Sequence, residues 1–119
     1  MAFVLKQSET YSWPITIDIP VDGGRHERQT FDGEFKRLPQ SKVGAMIAEL
    51  SKLEELGDLD RITEIAGEIL VGWSGVTADD GKDIPFSQKA LQQLLEVPFL
   101  AVAVMKAYVD SLKGAKRKN

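Results

Sequence analysis

Two periodicities divide this chain. In "WPITIDIP", Trp13, Ile15, Ile17 and Ile19 alternate with Pro14, Thr16 and Asp18. That period of two predicts a strand with one apolar face and one wetter face. Pro14 has no amide donor and suits a strand start or an edge. Asp22-Gly23-Gly24 follows, residues that tolerate a reversal of the chain. In the return segment "RQTFDGEFKR", Phe31, Gly33 and Phe35 share one face while Thr30, Asp32, Glu34 and Lys36 share the other. The pattern predicts a hairpin, and Phe3, Val4 and Leu5 would suffice for a short third strand. A lone hairpin is marginal in water, so its apolar face must rest on something.

From Pro39 onward the period lengthens. Val43, Met46, Ile47, Leu50 and Leu53 recur at helical steps. Gly57 supplies the left-handed residue that ends such a helix. Asp58 stands where an N-cap belongs, and Asp60 falls in the first turn of a second helix, where the dipole favours a negative charge. The stripe of that second helix runs Leu59, Ile62, Ile65, Ala66, Ile69, Leu70, Trp73, with Gly72 and Gly75 marking its end. Ser87 then caps a third helix carrying Leu91, Leu94 and Leu95. Pro98 breaks it and suits the first position of a fourth, "PFLAVAVMKAYVDSLKG", apolar all round in its first two turns. The order is an N-terminal β-hairpin, extendable to three strands, then about four helices: an α+β domain. Residues 1–112 are expected to form one α+β domain, with 113–119 a basic, disordered C-terminal tail.

Composition narrows the chemistry. The 119 residues suffice for one self-supporting core. The absence of cysteine excludes disulfides, thiolate metal sites and thiol catalysis. No leader-like segment opens the chain, and the longest apolar run, Phe99 to Met105, is far below the ~20 residues of a membrane span. A soluble, intracellular protein without membrane contact is expected. Net charge is −3. Lys113, Lys116, Arg117 and Lys118 contribute four of the 15 cations, so the body alone, with its 18 carboxylates, stands at −7. The tail has no aromatic residue for base stacking, and an acidic body repels phosphates, so no nucleic-acid partner is expected.

The stretch "LVGWSGVTADDGKDIPFS", Leu70 to Ser87, is where chemistry would sit if there were any. "GWSGV" lacks nucleophile-elbow spacing, because Gly75 follows Ser74 directly. The single histidine, His26, belongs to the hairpin turn region and has no evident route to Ser74. "TADDGKD" resembles a calcium loop, but with Gly81 at the sixth position, Val76 and Ala78 fall where the first and third ligands belong. Ser87 then stands where the loop needs a bidentate glutamate. One histidine and no cysteine leave zinc no ligand set. Neither Glu54-Glu55 nor Asp79-Asp80 lies in the apolar setting that shifts a carboxylate pKa. "VDGGRHER" lacks phosphate-loop spacing and reads as a turn. No catalytic, cofactor or metal residue is therefore expected. The stretch reads as a joint, with Trp73 in the core, Gly72 and Gly75 turning the backbone, Ile84-Pro85-Phe86 returning the chain, and Asp79 to Asp83 wet.

The ordered series Gly72-Trp73-Ser74-Gly75, Asp79-Asp80-Gly81, Pro85-Phe86-Ser87, Leu91 to Leu95, Pro98 and Phe99 to Tyr108 resembles the small tail assembly chaperones of long-tailed bacteriophages and prophages. The likeness covers about Ile69 to Tyr108, a third of the chain. It is moderately specific in order and spacing, and weak in any single motif. It implies a non-enzymatic protein of the bacterial host cytoplasm. Such a protein binds the tape measure protein while tail tube protein assembles around it, and is absent from the finished virion. Many such families also make a frameshifted longer product. A holding role needs exposed apolar surface on a soluble body, which the apolar faces of the hairpin and the fourth helix would supply, and an acidic body resists self-precipitation. Phe99, Val102, Met105 and Tyr108 are the candidates for a partner-binding or self-association surface, against the alternative that they are core. Two other readings stay open. One is a different phage-structural or adaptor protein, such as a tail-completion or connector component. The other is a small enzyme or ligand-binding domain, which a deep polar pocket with perturbed carboxylates would favour.

Overall fold

The computed structural model describes residues 2–113, so the expected tail over 113–119 lies, apart from Lys113, outside the described residues. The fold is α+β. Strand β1 (Thr10–Val21) pairs antiparallel with β2 (Arg25–Lys36) through twelve consecutive partners, Thr10 opposite Lys36 to Val21 opposite Arg25. The reversal uses Gly23 and Gly24, both at positive φ. Pro14 and Pro20 share a parity and hence an edge. Turned toward solvent they cost the ladder no bond and interrupt the free edge of β1.

The third strand is not Phe3–Leu5. Those residues lie outside the sheet, with Phe3 and Leu5 more than 80% exposed. The third strand is β3 (Leu70–Ser74), which pairs antiparallel with the end of β2 and leaves β2 central. The second helix therefore stops at Ile69, short of Trp73. The register explains how one stripe continues into the other. Asp32, Gly33 and Glu34 face Ser74, Trp73 and Gly72, but Phe35 faces Leu70, so Val71 is squeezed out as a bulge. Without that extra residue Leu70 would point away from the core; with it, Leu70 is buried and Val71 is exposed.

Helices α1 (Gln40–Leu56), α2 (Leu59–Ile69), α3 (Gln88–Leu95) and α4 (Leu100–Leu112) complete the domain. Gly57 takes the left-handed conformation after α1, its N–H on the Glu54 carbonyl and that of Asp58 on Leu53, a Schellman closure. Asp58 caps α2 by accepting from the Arg61 N–H at 3.2 Å, and Ser87 caps α3 by accepting from Ala90 at 3.0 Å. Helix α4 packs against both β1 and α2. The core gathers Ile15 and Phe35 from the sheet, Ile62, Ile65 and Ile69 from α2, Leu91 from α3, and Val104, Met105 and Tyr108 from α4. Fully burying each large side chain contributes about 1.5–3 kcal/mol. No single helix among the described residues is long and apolar enough to cross a membrane. Helices α3 and α4 pass together on length and composition, but they meet at a bend of 102°.

Candidate functional site

The Leu70–Ser87 stretch is pinned at both ends. The Trp73 indole Nε1–H donates to the Ile84 carbonyl at 2.8 Å, and its ring meets Phe86 edge-to-face, with centroids 4.9 Å apart. Ile84 N–H returns to the Val76 carbonyl at 2.8 Å, and Thr77 bridges Asp83. A tight turn closes the tip: Ala78 N–H bonds the Lys82 carbonyl, Gly81 sits at φ 83°, and the Asp80 carboxylate accepts from the Lys82 N–H at 3.0 Å. Asp79, Asp80 and Asp83 are exposed. Ile84 and Phe86 are half-buried, while Pro85 between them is exposed.

The two glycines of the tryptophan element do different jobs. Gly75, at φ 85°, turns the chain out of β3. Gly72 lies inside β3 rather than at a helix end, and glycine is required there because the Glu34 side chain crosses it: a Cβ would come within 2.5 Å of Glu34 Oε1. Glu34 is held in place by the Thr10 hydroxyl, which donates to it at 2.6 Å.

The residues tested for catalysis are not brought together. His26 is the second residue of β2, opposite Pro20, and not part of the turn itself. Ser74 pairs with Asp32, six residues further along that strand. At ~3.3 Å per residue the two are roughly 20 Å apart, beyond proton-transfer reach. Among the described residues, no group of three or more His, Asp or Glu side chains is placed to hold a metal ion.

Helix α4 divides the four candidate surface residues. Met105 and Tyr108 face inward and are buried. Tyr108 stacks edge-to-face on Phe35 at 5.1 Å and donates its hydroxyl to the Lys36 carbonyl at 3.1 Å. Burial, chiefly, pushes its pKa up to about 12. Val102 is half-buried and lines a groove of about 310 Å³ between α1 and α4, with Ile47, Leu50, Met105 and Val109.

Phe99 is the outlier. Leu100 N–H bonds the Val97 carbonyl at 3.0 Å, closing a turn in which Pro98 is second and Phe99 third. Pro98 thus makes the corner between α3 and α4 and is not the first residue of the last helix. Phe99 sits at φ 64°, ψ 7°, the position of a type II turn that normally takes glycine. Among the described residues no other non-glycine has positive φ. The residue is 67% exposed. Phe99 is thus the exposed member of the four candidates, and its backbone conformation has no counterpart in the periodicity of α4. The Pro98-Phe99 pair before an apolar helix was the available signal, since proline favours the second position of such a turn.

The fold is that of a small α+β protein in which the Leu70–Ser87 stretch is anchored by Trp73 against Ile84 and Phe86. Compared with protein-family models, curated proteins and solved structures, the chain matches none.

Proposed function

We propose that this chain is a tail assembly chaperone of a long-tailed bacteriophage or prophage. It works without enzymatic chemistry in the bacterial host cytoplasm. It holds apolar helical segments of the tape measure protein while tail tube protein assembles, and leaves before the virion is complete. The observation that carries the proposal is Phe99, a large ring held in solvent on a backbone conformation that glycine would adopt with less strain. A fold selected for stability alone gains nothing from phenylalanine there. An aromatic anchor for a partner does, since exposed rings on a fixed backbone bind with little ordering loss. Val102 extends the apolar surface along α4, and the exposed Phe3, Val4 and Leu5 add more. Met105 and Tyr108, being core, are left out of the binding surface.

Co-expression with a tape measure protein encoded beside this chain tests the reading. The expected result is soluble tape measure protein with the wild-type chain and loss of that solubility with Phe99→Gly. Equal solubility with and without the wild-type chain would remove the proposal.

A further inference from the structure

The groove between α1 and α2 reverses the sign of the surface around it. The body of the chain stands at −7. The groove has a volume of about 510 Å³, and Lys36, Arg37 and Lys42 all line it. All three are exposed. The ion pairs among the described residues join Asp18 to Arg28, Arg61 to Glu49 and Glu64, and Asp110 to Lys106 and Lys113, so none of the three is neutralised there. Two carboxylates, Glu49 and Glu68, line the same groove. Arg61 takes up Glu49 at 2.8 Å, which leaves Glu68 against three cations. Arg37 is held in position, its guanidinium 4.7 Å over the Tyr11 ring and its Nε donating to the Ser8 hydroxyl at 3.4 Å. Neither contact cancels its charge.

The remaining lining is largely apolar, with Leu38, Ala45, Met46, Ile65 and Ile69. Leu38 is only half-buried and Ala45 is exposed, so the elements of this chain do not close over the groove. Its lining includes the start of α1. Pro39 stands at that N-cap without a side-chain hydrogen bond, and the first turn has no acidic residue. The positive end of the α1 dipole therefore receives no carboxylate from its own first turn. The segment after Lys113 has the wrong sign to supply one, since its charges are Lys116, Arg117 and Lys118.

From this we infer that the groove between α1 and α2 docks an acidic amphipathic segment of another protein, one that carries carboxylates beside large apolar side chains. The apolar side chains rest on Leu38, Met46, Ile65 and Ile69. The carboxylates meet Lys36, Arg37 and Lys42 and the start of α1. Cations beside an apolar floor are the complement of such a segment: charge steers it and sets its orientation, and apolar contact holds it. A second copy of this chain is the poorer occupant, because two bodies at −7 repel each other. The groove is lined by β2, α1, α2 and the β2–α1 connection, whereas Phe99 stands at the α3–α4 corner, so the two surfaces are separate. The inference needs no tape measure protein and stands or falls apart from the chaperone reading.

Fluorescence anisotropy on the full chain tests it with designed peptides. The probe is a labelled peptide of about 14 residues, four helical turns, with leucine along one stripe and glutamate or aspartate elsewhere. A second peptide has lysine for every acid, and a third has serine for every leucine. The acidic peptide should bind with a Kd below about 100 µM at low salt. The lysine peptide should bind at least about tenfold more weakly, although the body as a whole attracts cations. Lys36→Glu with Lys42→Glu should weaken the acidic peptide at least about tenfold. Lys52→Glu with Lys89→Glu makes the same change of net charge outside the groove and should weaken it less than about threefold. All four lysines are exposed, and Lys42→Glu improves the match of α1 to its dipole, so both variants should keep the wild-type urea midpoint. An acidic peptide that does not bind at this concentration would overturn the inference, as would a lysine peptide that binds equally well. So would a groove variant no weaker than the control variant. A serine peptide that binds like the leucine one would reduce the groove to an anion patch and overturn it too. Sedimentation velocity without peptide reads the remaining occupant: a dimer abolished by the groove variant would give the groove to a second copy instead.

Discussion

The Tyr108 hydroxyl donates to the main-chain carbonyl of Lys36 at 3.1 Å, joining α4 to the last residue of β2. The bond sits beside a short polar chain: the Ser111 hydroxyl donates to the Tyr108 carbonyl, and Tyr11 in turn donates to Ser111 Oγ, each at 2.6 Å. The aromatic trio Tyr11, Phe35 and Tyr108 packs around it, and Arg37 lies 4.7 Å over the Tyr11 ring.

This arrangement sets an alkaline limit on stability. The pKa of Tyr108 is pushed from 10 to about 12 in the fold, so between those values the folded chain binds more protons than the unfolded one. The contribution is complete below pH 10 and is lost as pH rises toward 12. Urea midpoints measured from pH 8 to 11.5 should fall steeply above pH 10. Tyr108→Phe should lower the stability at pH 8 by about 1 kcal/mol, through the lost hydrogen bond. It should also flatten the decline above pH 10, where the lysines common to both proteins remain as background.

Trp73 fastens the joint, and its indole N–H is separable from its packing. Trp73→Phe keeps an aromatic ring against Phe86 but leaves the Ile84 carbonyl without its donor. The expected loss is about 1–2 kcal/mol by urea denaturation. Amide exchange at Ile84, whose N–H bonds Val76, should accelerate more than exchange in α4.

Glycines in this chain divide by what stands over them. A Cβ at Gly33 would meet Ile15 Cδ1 at 2.5 Å and Leu70 Cδ1 at 2.9 Å, both in the core. Gly33→Ala should therefore destabilise by about 1–3 kcal/mol, as overpacking does. Gly44, inside α1, has nothing within 4 Å of that position. Gly44→Ala should stabilise by about 0.5–1 kcal/mol through helix propensity and a less free unfolded chain. Opposite signs in thermal melts of the two variants would verify the placement of both residues.

The sequence made the hairpin, α1 and the caps at Gly57, Asp58 and Ser87 legible, because each announces itself within a few residues. The period of two over Trp13–Ile19 and the Asp58 cap needed no distant partner. The third strand was hidden for a physical reason. Leu70 and Trp73 sit three apart, which fits the stripe of α2, and the same two residues reach the core from β3 only because Val71 bulges out. That bulge depends on pairing with Glu34 and Phe35, some 36 positions earlier, which no local period records. Phe3, Val4 and Leu5 were apolar enough for a strand but found no free edge to join. On α4, a run apolar on every side could not say which residues faced inward. The β1 and α2 surfaces decided that, taking in Met105 and Tyr108 and leaving Phe99 in solvent.

Phe99 offers the sharpest separation of stability from use. Its left-handed backbone costs roughly 1–2 kcal/mol for a residue with a Cβ and little for glycine. Glycine is also acceptable at an N-cap, which is where Phe99 stands before α4. The residue is only one-third covered, so removing its side chain forfeits little burial. Phe99→Gly should then leave the fold as stable as wild type or up to about 1 kcal/mol more stable, measured as a urea midpoint at unchanged slope. Phe99→Ala keeps the Cβ strain, loses the ring, and should be the less stable of the two. If Phe99→Gly instead lost more than about 2 kcal/mol, the ring would be part of the core's support and its exposure would have no meaning for binding. A stable Phe99→Gly protein that no longer holds its partner would assign the aromatic at this corner to contact with another chain.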